Sequence, residues 1–258
     1  LGAPLRRPER LVTSWLLIGA HVPPDYKYPR VRFRIPGLQL WLAKQNIESN
    51  LSHDENTKAY IHSFKVDSKE KMVTHVPAIN ASLEWVTQCA AKSDPYTSIS
   101  VTVHGWVSIE PTSPQSIEWF VEQHSKIIIL LSMLAGTPMS PDSIEASLDD
   151  PRRSVSVMVA INDIKVCRHK NIHDFYMTHS SMGSDLEKVF SRWFEIVPKL
   201  DTASMLAMSV MSSENLWLHV KFLSYAQALE GFHRSLYEGN YMPKEEYRQV
   251  KQELAYAI

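Results

Sequence analysis

Cysteine is scarce in this chain. Cys89 and Cys167 are the only two among 258 residues, far apart and without a C-x-x-C partner. A disulfide framework and a cysteine-rich zinc module are both excluded, and the usage fits a reducing cytosol. Glycine is also scarce, at 8 residues, and neither G-x-G-x-x-G nor the Walker pattern occurs. Nucleotide-dependent chemistry built on a Gly-rich phosphate loop loses its support. G-x-S-x-G and H-E-x-x-H are missing too, which removes the common hydrolase and metalloprotease signatures. The longest apolar run, residues 127–131 extended by 133–135, falls far short of the ~20 residues a membrane span needs. An excess of one charge is lacking as well: 27 Lys and Arg against 28 Asp and Glu leave a net charge of −1. No global field draws the chain to nucleic acid or to an anionic membrane, so any basic site must be local.

What is present is the balance of an ordinary globular chain, 44% apolar and 21% charged. Its length allows one large domain or two small ones. The first residue is Leu1 rather than Met, which raises the expectation that something upstream has been removed. Arg6, Arg7 and Arg10 precede an apolar stretch over 11–20, the outline of a secretory signal. Thr13 and Ser14 interrupt that stretch and no A-x-A site follows, so a buried strand is the better reading.

The first half reads as strands. Over 30–35, Val31, Phe33 and Ile35 alternate with Arg30, Arg32 and Arg34. Pro29 and Pro36 bracket this run, which predicts a short strand near a sheet edge. After Gly37, the residues Leu38, Trp41 and Leu42 have helical spacing. Further strands are expected over 59–66, 71–76, 81–90, 97–109 and 153–167, antiparallel in style with one wet face. Ser113 reads as an N-cap with Pro114 at the first helical position, opening a long helix whose stripe includes Ile117, Phe120, Ile127 and Leu131. Gly136 and Pro138 end it. Ser184 and Glu187 have the spacing of a capping box, opening a helix that Pro198 ends. A further helix is expected over 214–238, apolar on more than one stripe and therefore central and well buried. A last helix begins near Pro243. The predicted fold is α+β: an antiparallel β-rich N-terminal domain, 1–183, with a long bracing helix, followed by an all-α C-terminal segment, 184–258.

Four constellations could carry chemistry. Cys167, His169 and His173 offer ligands suited to zinc, without an evident fourth, so a polar strand end is the simpler reading and no metal is assigned. Arg168 and His173 fit R-x4-H, in which histidine moves a proton and arginine holds phosphate charge. That pair follows a Val-rich strand rather than lying on a helix, and reads as a chance match. Arg30, Arg32 and Arg34 form a basic stripe able to contact RNA phosphates, or equally a solvated face guarding an edge. Glu230, His233, Arg234 and Tyr237 share one side of the 214–238 helix, either as a Glu230–Arg234 ion pair or as a polar cluster supporting a site.

That helix carries a resemblance. The run from Lys221 to Arg234, KFLSYAQALEGFHR, looks like the F-L-x-x-x-Q-A-L-E-x-x-H-R segment that opens the HEPN domain of ApeA-like proteins. Upstream, Gly19-Ala20-His21, then Phe33, then Gly37-Leu38 and Trp41 are similar to that family's G-x-H … F … G-L-x-x-W run. Leu131-Ser132-Met133-Leu134-Ala135-Gly136-Thr137-Pro138 resembles its long-helix end. The resemblance implies a bacterial cytosolic anti-phage defence protein. A sensor domain would be coupled to a metal-independent HEPN ribonuclease, needing no cofactor, that cuts host RNA such as tRNA. It implies dimers through HEPN helices, a phage component as trigger, and no membrane. It also places the family's R-x4-6-H motif well downstream of this helix, beyond Ile258. The expectation is that this chain alone is inactive, with Glu230, His233 and Arg234 as auxiliary residues of the catalytic site. The family's earliest strands are expected to be missing before Leu1. The alternative is a non-catalytic sensor or interaction protein of the same fold, and a third reading is a metal-dependent enzyme centred on Cys167, His169 and His173.

Overall fold

The computed structural model describes residues 15–43, 46–56, 58–67, 71–94, 98–150, 153–159, 169, 171–213, 215–237 and 244–256. Among the described residues the strands are β1 (Trp15–Ile18), β2 (Arg30–Arg34), β3 (Ile47–Asp54), β4 (Ala59–Val66), β5 (Met72–Val76), β6 (Ala81–Asp94), β7 (Ser98–Pro111), β8 (Ser143–Ser147) and β9 (Ser154–Val159). The α-helices among them are α1 (Leu38–Trp41), α2 (Ile117–Ala135), α3 (His179–Met182), α4 (Leu186–Ile196), α5 (Asp201–Ser212), α6 (Leu218–Tyr237) and α7 (Lys244–Tyr256). The α+β class expected from the patterning is what the chain adopts.

The main sheet has seven antiparallel strands in the order β1-β9-β8-β2-β7-β6-β5, and β3 and β4 pair as a separate hairpin. β2 therefore lies at the centre of the sheet, not near an edge. Its flanking prolines lie just outside the ladder, so they limit its length and not its position. The alternation works as expected: Val31 and Phe33 are fully buried while the three arginines are half-buried on the other face.

The core lies between the sheet and a layer of helices. Phe33 stacks on His124 of α2, with ring centroids 4.1 Å apart. Trp85 meets Phe190 of α4 at 5.3 Å and Trp41 of α1 at 5.5 Å. Phe33, Trp41, Trp85, Phe120 and Phe190 are each fully buried. At roughly 2–3 kcal/mol for each large side chain removed from water, this aromatic cluster is a principal source of cohesion. Gly105 permits the close approach of α1 to β7: a Cβ there would sit 2.6 Å from the Gln39 nitrogen and from Leu38 Cβ.

Three other expectations are corrected. α2 begins at Ser116, whose side chain accepts from the Trp119 N–H, and not at Ser113. Gln115 exchanges backbone hydrogen bonds with Tyr28, at 2.7 and 3.0 Å, which holds the chain extended past Pro114. Ser184 forms no capping box, because it sits inside a 3₁₀ turn over Gly183–Asp185 that runs on into α4. The box forms earlier, between Thr178 and Ser181. The 214–238 helix is not central: Ala228 is the buried residue of α6, which packs on α5, a helix the sequence reading missed. β3 and β8 were missed as well. Residues 160–167, the rest of the strand expected over 153–167, lie outside the described residues, as do residues 11–14.

Candidate functional site

Two surfaces carry the candidate residues. The first is α6. Its polar side is assembled by helical spacing: Arg234 donates to Glu230 at 2.7 Å, and the His233 ring lies 5.0 Å from that of Tyr237. Both members of the ion pair are substantially exposed. The group is therefore a polar row that sets an imidazole beside a guanidinium held by a carboxylate, residue types that phosphate chemistry can use.

The same helix carries large apolar side chains in water: Trp217 just before it is 76% exposed, Leu218 83%, Phe222 70% and Leu229 70%. Small residues let α6 approach α5 closely, since a Cβ on Gly231 would stand 3.4 Å from Ala203 Cβ. Beneath it, a cavity of about 340 Å³ lined by Met133, Trp193, Leu200, Tyr225 and Phe232 separates α6 from α2 and α4. Burial raises the Tyr225 hydroxyl pKa, and the neighbouring Tyr176 raises it further.

The second surface is the sheet face opposite the helices. Register places Arg34 beside Trp106, Arg32 beside Ser108, and Glu84 beside Ser108 on the next strand. Arg32 bonds Glu145 at 2.5 Å and Arg34 bonds Asp142 at 2.6 Å. Arg30 is shared between Glu110 at 3.2 Å and Glu84 at 3.4 Å. The guanidinium carbons of Arg32 and Arg34 lie 4.5 and 5.8 Å from the Trp106 ring centre. The stripe thus exists, but carboxylates from β6, β7 and β8 and from the Pro141–Asp142 approach answer its charges.

The remaining candidates stay apart. Cys167 and Arg168 lie outside the described residues. His173 sits in an exposed 3₁₀ turn, Ile172–Asp174, capped by Asn171. His169 packs on Phe175 at 4.2 Å, and burial lowers its pKa against the opposing pull of Asp174. Among the described residues no three His, Cys, Asp or Glu side chains are grouped to hold a metal.

The motif residues upstream of α6 prove to build the fold. Gly37 has φ +90 at the start of α1, and Trp41 donates its indole N–H to the Met177 carbonyl at 2.9 Å. Ser132, fully buried, accepts from the Met139 N–H at 2.9 Å across the turn at Gly136, whose φ is +72. The sequence profile of the ApeA N-terminal domain 1 matches residues 2–193. The chain belongs to the ApeA N-terminal domain 1 family. No curated protein and no solved structure matches it significantly. Membership of the ApeA family is consistent with an anti-phage defence protein. The ApeA match takes in the arginine face and leaves Glu230, His233 and Arg234 outside it.

Sequence reasoning missed Trp106 and Glu84 within the ApeA domain. The signal was available in the alternation of β7: with Val101 and Val103 on one face, the even-numbered Trp106 falls on the wet face beside the arginines.

Proposed function

We propose that this chain is the sensing part, and the opening helices, of an anti-phage defence protein that acts through a metal-independent HEPN ribonuclease. The domain division follows the sequence reading, with a regulatory ApeA region over 1–183 and nuclease helices over 184–258. The observation that carries the reading is α6. It bears the Q-A-L-E-x-x-H-R run, keeps Glu230, His233 and Arg234 along one side, and leaves its apolar side uncovered by the described residues. An exposed apolar face of this size is the mark of a partner surface. In this reading the partner is a second copy, docked through α6 and α7.

Glu230, His233 and Arg234 brace or line the cleft between protomers. The R-x4-6-H helix that the resemblance places downstream supplies proton transfer and charge stabilisation, with the ribose 2′-OH as nucleophile. Host RNA such as tRNA is the substrate, a phage component is the trigger, and no cofactor or membrane takes part. Among the described residues no helix is long and apolar enough to cross a membrane. The natural full-length protein is expected to cleave RNA with EDTA present, and to lose that cleavage on Arg234→Ala. EDTA-sensitive cleavage counts against the proposal. Absence of cleavage under triggered conditions favours the non-catalytic sensor.

A further inference from the structure

The cavity beneath α6, of about 340 Å³, draws its walls from separate helices. Met133 comes from α2, Trp193 from α4, Ala207 from α5, and Tyr225 and Phe232 from α6. Trp193 donates its indole N–H to the Lys126 carbonyl at 2.8 Å and is buried, so its ring is a fixed wall. Ser204 and Tyr225 bring the hydroxyls of the lining, and among the described residues no charged side chain joins them. Burial holds the Tyr225 hydroxyl in its neutral form.

Such a space is unfavourable dry or wet. Dry, its walls forfeit dispersion contacts in proportion to the empty volume. Wet, its waters meet almost nothing but carbon, whereas a held water needs two to four polar partners. Nor can α6 settle inward to close it. The helix already touches α5, where a Cβ on Gly231 would stand 3.4 Å from Ala203, and Ala228 is buried at the same contact. The walls and the volume decide what fills the space. A dry apolar cavity of about 150 Å³ holds one benzene ring, and this one is more than twice as large, room for two fused rings. The rings of Trp193, Tyr225 and Phe232 offer faces and edges that suit another ring. A charged group there would lose its hydration without gaining a partner.

We propose that this cavity binds a small neutral aromatic molecule of about two fused rings, held between α6 and the helices α2 and α4. Met133 and Trp193 fall within the residues matched to the ApeA N-terminal domain, whereas the α5 and α6 residues of the lining lie beyond it. A ligand in the cavity therefore fastens the C-terminal helices to the ApeA domain and gives that junction a small-molecule input. The site does not depend on the nuclease reading.

Calorimetric titration of the purified chain with indole, 1-naphthol, 1-octanol and indole-3-acetate tests it. Indole and 1-naphthol bind with Kd of about 0.1 mM, the affinity a ligand of roughly ten heavy atoms can reach, and raise the melting temperature. Indole-3-acetate, the same ring with a carboxylate, binds at least about tenfold more weakly. Ala207→Phe puts a ring into the cavity from a half-buried wall position. Binding is lost while the melting temperature is unchanged or raised, which a misfolded variant cannot show. Leu218→Glu with Phe222→Glu, outside the lining, binds as wild type does. Absence of indole and 1-naphthol binding at about 1 mM overturns the proposal. So does wild-type affinity in Ala207→Phe, or equal affinity for indole and indole-3-acetate. Binding by the Leu218→Glu, Phe222→Glu variant alone assigns the space to a side chain of a second copy and overturns it. 1-Octanol binding as tightly as 1-naphthol assigns the space to acyl chains and overturns it as well.

Discussion

Acidification should destabilise this protein through one buried histidine. His124 is 7% exposed on the inner side of α2, stacked on the fully buried Phe33 with rings 15° from parallel. Its Nε2 has no partner among the described residues, and burial lowers its pKa from 6.5 to about 3. The folded state therefore holds the ring neutral, while the unfolded chain takes up a proton below its ordinary pKa. Stability is fully present above pH 6.5 and falls with acidification between 6.5 and 3, by about 1.4 kcal/mol per pH unit. From pH 7.5 to pH 5.0 the loss from this residue is about 2 kcal/mol, a large share of the 5–15 kcal/mol that typically holds a domain together. His124→Phe keeps the volume and the stacking and removes the titration, and it also deletes an unpaired polar atom, so at pH 7.5 it should be neutral or stabilising. Urea denaturation of both proteins at pH 7.5 and 5.0 measures the difference. Wild type should lose about 2 kcal/mol more than the variant between the two conditions. Equal losses would show that His124 is protonated or solvated in the fold, and would refute the reasoning.

The other predictions rest on separate contacts. Gly105→Ala drives a methyl group into the backbone of α1, at 2.6 Å from the Gln39 nitrogen, and should cost about 2 kcal/mol, read as a melting temperature lower by about 5 °C. Leu218→Glu with Phe222→Glu changes residues 83% and 70% exposed, so folding should be untouched while self-association, followed by light scattering, is lost; a wild-type chain monomeric at high micromolar concentration refutes the α6 docking. Arg234→Ala breaks an exposed pair worth about 0.3–0.5 kcal/mol, so its melting temperature should stay within about 2 °C of wild type even as full-length RNA cleavage falls. A larger thermal loss would assign Arg234 to the fold instead.

The parts of the fold that the sequence revealed are those where one face is buried and the other wet. Val31 and Phe33 against Arg30, Arg32 and Arg34 announced a strand, and β4 ran from Ala59 to Val66 as read. What alternation cannot report is a strand's neighbours. β2 became the middle of the sheet because β7 and β8 both pair with it, from Val31–Ile109 and Arg30–Ser147 partners that lie far apart in the chain and leave no local pattern. β3 was illegible because its residues 48–53 are exposed on both faces, leaving no alternation to detect. α5 was missed because its Met, Ala and Ser residues make a weak stripe, and its partner is the small-residue side of α6. The site divided in the same way. The Glu230–Arg234 pair follows from helical spacing alone, whereas the packing of Arg32 on Trp106 needs β2 and β7 in register before it exists.

An apolar stripe states that a face needs cover and not what covers it. α2 and α6 make the point together. The stripe of α2 meets the sheet, and Phe120, Ile127 and Leu131 end fully buried. α6 has more apolar surface than α5 can hide: Ala228 is buried while Phe222, Leu223 and Leu229 remain more than half exposed. The reading of two apolar stripes on α6 was sound, and the inference that both were internal was not. Within one chain, a helix that is apolar on two sides is either central or waiting for a surface outside the fold. The cavity beneath α6 favours the second, because a helix serving as core would have closed it with large side chains and gained their dispersion energy. The loosely seated, apolar-faced helix that results carries the segment resembling the start of a HEPN domain, which is why the proposed dimer is assigned to that face.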